Sequence, residues 1–149
     1  MIRFGILLLL FVSAFCAHTV SAAVPSCYNS IVQNFFNPVL VNQALSMHDD
    51  IYQSSWSEIS RNLKSQTTDI PRLVKERASK IHPNPFDIPF NPEVAGEVLK
   101  QVLVGILAQT LTYYQINNSS NKANDIFNYL QHLKMEQWNE CFIPVVIQK

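Results

Sequence analysis

Apolar residues recur at helical spacing along this chain, with polar residues filling the positions between them. Leu40, Ala44, Met47, Ile51, Tyr52, Trp56, Ile59 and Leu63 follow one another at steps of mostly three and four, which places them on one face of an α-helix. The stripe predicts a single amphipathic helix from about Pro38 to Ser65, opened by Asn37 as N-cap and Pro38 at the first helical position. A shorter helix over Tyr28–Phe36 precedes it, carrying Ile31, Val32, Phe35 and Phe36. Thr67–Asp69 reads as a turn in which Asp69 caps the next helix. Ile70, Leu73, Val74, Ala78 and Ile81 give that helix its inward stripe. It stops at His82-Pro83, because the residue before a proline is pushed out of α geometry.

His82–Pro92 holds Pro83, Pro85, Pro89 and Pro92, which predicts a stiff, extended strap with little backbone pairing. Asn91-Pro92 repeats the cap-and-proline start and opens a helix to about Ile116. Its Val94, Val98, Leu99, Val102, Leu103, Ile106, Leu107 and Leu111 cover more than one face, so it is expected to be the most buried element. Asn117–Asn121 is a polar turn. Ala123, Ile126, Phe127, Leu130, Leu133 and Trp138 then mark a last helix ending near Glu140, and Phe142–Ile147 reads as an extended tail laid on the core. The chain has only 3 glycines, and two-residue hairpins favour Gly or Asn at positive φ, which argues against an all-β fold. The fold class expected is all-α: four main helices and a short N-terminal one in a small bundle, with a proline-rich crossover strap and an extended tail.

The N-terminus follows a different pattern. Met1–Arg3 is a short positive region, Phe4–Ala17 is almost wholly apolar, and Val20-Ser21-Ala22 offers compact residues before a cleavage point. That order is what an export machinery and its peptidase recognise. Residues 1–22 are therefore expected to be a signal peptide cleaved near Ala22, leaving 23–149 as one helical domain in the periplasm or outside the cell. The later run Val102–Ala108 is too short to span a bilayer.

Cys16 leaves with the leader, so Cys27 and Cys141 remain as a pair. In an oxidising compartment a disulfide tying the two chain ends is the simplest use for them. Val24-Pro25-Ser26-Cys27 loosely imitates a lipidation site. Lipidated Cys27 is the rival reading, and it would leave Cys141 without a partner.

Formal net charge is +0, so overall charge points to neither nucleic acid nor polyanions. Distribution adds more. Arg61, Lys64, Arg72, Lys75, Arg77 and Lys80 concentrate in one stretch against only Asp69 and Glu76. Such a surface suits an acidic protein partner or peripheral contact with an anionic membrane. The stretch leads into Phe86 and Phe90, which with Ile88 either plug the bundle as part of the crossover or supply the apolar anchor that charge alone lacks. The six cations with Phe86 and Phe90 are the candidate partner-binding set.

Reactive chemistry is sparse. His132 and Glu136 stand four apart on one predicted helix face and, with His48, are the only weak metal candidates. His82 joins them only if the fold brings it near. Glu93 and Glu97 are also four apart, but they sit at a helix start, where the dipole favours negative charge. No His-Glu-x-x-His, Gly-x-Ser-x-Gly or glycine-rich phosphate loop occurs, and no cofactor is expected. The sequence thus points to a non-enzymatic interaction or assembly module. A bundle carrying a small apolar ligand or lipid is the second reading, and a metal-dependent hydrolase a distant third.

Overall fold

The computed structural model describes residues 26–87 and 89–143, and these are all-helical, with no strand among them. Seven α-helices follow in order: α1 (Ser26–Asn34), α2 (Pro38–Leu45), α3 (Gln53–Ser65), α4 (Ile70–Ala78), α5 (Pro92–Tyr113), α6 (Ser119–Leu133) and α7 (Met135–Phe142). A 3-10 turn, Gln66–Asp69, joins α3 to α4. The predicted leader, and the tail beyond Ile143, lie outside the described residues.

Both Asn-Pro starts form as read. The Asn37 side chain accepts from the N–H groups of Val39 and Leu40 at 2.9 and 3.2 Å. Asn91 accepts from Val94 at 3.3 Å. Each satisfies backbone donors that a helix start leaves open. Asp69 does not cap: it already has helical φ/ψ and makes no side-chain cap bond, because the 3-10 turn feeds directly into α4.

Two predicted helices are broken. The Pro38–Ser65 stripe is interrupted after Leu45 and resumes at Gln53. Ile51 stays buried in the connection, while Met47 and Tyr52, expected on the inward stripe, are exposed. Trp56 Nε1 donates to the Ile51 carbonyl at 3.0 Å, giving a partner to an oxygen outside any helical ladder. The last predicted helix breaks at Lys134, where φ is −115°, and α7 sets off anew. The strap is likewise folded rather than extended. Phe86 N–H donates to the Asn84 side chain at 2.8 Å, and Asn91 N–H to the Pro85 carbonyl at 2.9 Å, closing a compact loop. The four-helix count thus gives way to shorter segments around one core.

α5 is the central element, with contacts to α3, α4, α6 and α7. It is 22 residues long and apolar enough to cross a membrane by length and composition. More than half of its apolar window is nevertheless buried inside the protein, with Leu99, Leu103, Leu107 and Leu111 fully enclosed. Gly96 lets it approach α7, since a Cβ there would lie 3.0 Å from Cβ and Cγ of Phe142. Phe35, Phe127 and Trp138 form the aromatic centre beside it. Cys27 and Cys141 are bridged, with Cα atoms 5.8 Å apart, joining α1 to α7.

One ion pair fastens the irregular connection. Lys122, nearly buried at the start of α6, donates to an Asp50 carboxylate oxygen and to the Asn117 carbonyl. The Lys122 hydrogen bond holds the Asp50 carboxyl below its ordinary value. A carboxyl depressed on folding stabilises the protein above its unfolded value, and that contribution disappears as pH falls through the folded one. Urea midpoints measured down to pH 3 should therefore fall less steeply for Asp50→Asn than for the native chain. Parallel curves would show that the pair is not coupled to folding.

Candidate functional site

The six cations of the Arg61–Lys80 stretch do not act alike. Arg72 lies 3.8 Å from Asp69 and 3.7 Å from Glu76, all three more than half exposed, so the pairs add little stability but occupy its charge. Arg61 reaches Ser57 on its own helix at 3.5 Å, and Lys64 reaches the Gln33 carbonyl at 3.4 Å. Lys75 and Lys80 are exposed on the C-terminal part of α4 and just beyond it. Arg77 Nη1 crosses to α5 and donates to Gln101 Oε1 at 2.9 Å.

That last contact locates the most developed surface feature. Gln66 donates to Thr110 at 2.8 Å near one end of α5, and Arg77 meets Gln101 nearer the other, so α4 runs antiparallel to α5. On the opposite flank the Thr112 and Ser119 hydroxyls are 2.7 Å apart, and Lys100 Nζ stands 5.9 Å from the Phe127 ring centre. α6 is thus also antiparallel. Between these flanking helices the outer face of α5 forms the floor of a trough. Its α4 side has a volume of about 440 Å3, with half-buried Leu73 and Ile81 as apolar walls, the nearly buried Val102 and Ile106 beneath them, and Arg77 and Lys80 at the rim. Its α6 side, about 410 Å3, adds Glu97, Lys100, Val104 and Ala108. Arg77, Gln101 and Gly105 border both parts.

Gly105 stands out energetically. A glycine inside a helix costs about 1 kcal/mol relative to alanine. Unlike Gly96, it is not needed for packing, because a Cβ built there meets nothing within 4 Å.

Phe86 and Phe90 are partly buried against the core, closer to plugs of the bundle than to an exposed anchor. Phe86 stands 5.5 Å from the Tyr28 ring and 6.0 Å from Phe90, both edge-on. Burial in the same cluster pushes the Tyr28 hydroxyl up to about 12. The pair therefore serves first to pin the loop to α1.

The metal candidates converge only in part. His48 and His132 border one shallow depression with Met47, Asp125 and Tyr129, whereas Glu136 faces a separate one beyond His132. His48 Nε2 is buried without a hydrogen-bond partner among the described residues. His82 is exposed in the loop after α4. No three His, Cys, Asp or Glu groups among the described residues are placed to share a metal ion. Glu93 lies in the first turn of α5, as the dipole reading expects.

Comparison with known proteins adds no relative: no family model, curated protein or solved structure matches this chain.

Sequence reasoning found the cations and missed the trough. Gln101, Gly105 and Ala108 on its floor lie outside the apolar stripe of α5, and only the antiparallel placement of α4 and α6 reveals that the face they share stays open.

Proposed function

We propose that this chain is an exported, non-enzymatic interaction module, released from its leader near Ala22 and acting in the periplasm or outside the cell. The observation that carries the reading is the trough over α5, where Lys80, without a side-chain partner among the described residues, and the lightly engaged Arg77 stand beside apolar walls. Cations at the edge of an apolar surface speed and orient encounter, while the walls supply the area that must be dried on binding. The Cys27–Cys141 bridge fits an oxidising destination. The lipid-carrier reading draws on the same walls, but a carrier encloses most of its ligand's surface, and this trough is open along its length.

The test is kinetic. With the partner captured from the native compartment, Lys75→Glu combined with Lys80→Glu should slow association about tenfold at low salt and flatten its salt dependence. Dissociation should change little. An unchanged on-rate at low salt would reduce these cations to a solvated face. Lipid retained by the purified protein in native mass spectrometry, with no protein captured, would favour the carrier.

A further inference from the structure

We propose that the trough over α5 is the seat of an acidic amphipathic helix from another protein, laid across Gly105. The inference rests on the interaction-module reading and names the partner chemistry of the same surface.

Shape comes first. Gln101, Gly105 and Ala108 recur at steps of four and three on the outer face of α5, and α4 and α6 run antiparallel to it on either side. Flanking helices of this kind leave an open groove whose length follows a helix axis, the receptor geometry for helix-in-groove recognition. The occupant brings its own outer cover, so the groove need not close over it.

Gly105 is the second observation, independent of the first. The fold gives up helix stability at this position without using the space that glycine frees. Space at the centre of an open groove lets a second backbone come closer than any side chain would permit. An incoming helix uses such a gap along its length, whereas a flexible chain could settle beside it.

Charge selects the partner. On the α4 rim Arg77 is held only by a neutral amide, Lys80 has no side-chain partner among the described residues, and Glu76 already faces Arg72. Lys100, whose ammonium stands 5.9 Å from the Phe127 ring centre, adds a third cation on the floor and Glu97 one anion, both in the N-terminal half of α5. A helix with carboxylates along the edge facing α4 matches this rim. A second copy of the chain meeting face to face would bring the cations of both copies to one seam.

The experiment places a photoreactive p-benzoyl-phenylalanine at Val104 in the full chain, produced in its native cells, with parallel probes at Lys64 and Phe90. Irradiation at Val104 should yield one dominant adduct, and sequencing of the attached peptide should show an amphipathic helical segment of net negative charge. Gly105→Leu, whose Cβ meets no protein atom within 4 Å and whose side chain extends into the groove, should reduce that adduct at least tenfold while leaving the melting temperature unchanged or higher. Arg77→Glu with Lys80→Glu should reduce it several-fold, with the thermal melt again confirming the fold.

An adduct with lipid, with a basic or non-helical segment, or with another copy of this chain overturns the proposal. So does an adduct that survives Gly105→Leu. If only the Lys64 or Phe90 probe captures a protein, the module reading stands and the groove assignment fails. If no probe captures a protein, both fail.

Discussion

Replacing Cys27 and Cys141 together by serine should lower the unfolding free energy by about 2–5 kcal/mol, the usual loss when a small domain is stripped of its bridge. The two residues are 114 apart in sequence, so the bridge removes from the unfolded chain nearly all conformations in which its ends are distant. The loop-entropy account places a span of this size in the upper part of that range. Native contacts suffer less. Ile31 and Val32 of α1 and Phe142 of α7 are buried in the core by packing of their own, and the double substitution leaves only two small polar groups where the sulfurs met. A urea titration is the direct measurement, and thermal melting should show a drop on the order of 10 °C for a chain of this length. A midpoint unmoved by reducing agent, with two thiols titrating in the native protein, would remove the bridge from any account of stability.

Phe127→Ala should cost about 3–5 kcal/mol, the range for removing a large aromatic from a packed interior. Phe127 is fully buried on α6. Its ring lies 5.5 Å from that of Phe35, nearly parallel to it, and 5.7 Å from that of Trp138, edge-on. Phe35 belongs to the turn after α1 and Trp138 to α7, so one truncation loosens three elements. The void would sit where no main-chain movement can fill it cheaply, because α5 closes the other side. Phe127→Leu should recover more than half of the loss, since it keeps most of the volume and gives up chiefly the ring contacts. A loss below about 1 kcal/mol for the alanine variant would mean that the aromatic centre collapses around the gap or is less tightly packed than its geometry indicates.

The parts of the fold that were legible in the sequence are those governed by neighbours along the chain. Asn37-Pro38 and Asn91-Pro92 announced helix starts because capping is a matter of a few bonds between adjacent residues. The cysteine pair was legible because only Cys27 and Cys141 lie beyond the apolar N-terminal run. The helix break after Leu45 was not. Leu40, Ala44, Met47 and Ile51 keep helical spacing straight through it, with no glycine or proline to interrupt them. What fixes the break acts across the fold: Asp50 is held by Lys122 from α6, and Trp56 returns to the Ile51 carbonyl. The choice between plug and anchor for the aromatic strap was open for a related reason. Phe86 and Phe90 look like an exposed anchor until Tyr28, far away in sequence, covers one side of the cluster. At the trough, Arg77 and Lys80 were already candidates by charge, but their position beside Gly105 follows from the pairing of α4 with α5.

The bridge also changes what a protease can accomplish. From Cys27 to Cys141 the backbone and the sulfur bond form a covalent ring, and the compact loop after α4 lies within it. Hydrolysis after exposed Lys80 would open that ring at one point and release nothing, since each piece still holds one of the bridged cysteines. The nicked molecule keeps its mass apart from one added water and separates into two chains only when reduced. Within the ring, therefore, a fragment is lost only to a second cut.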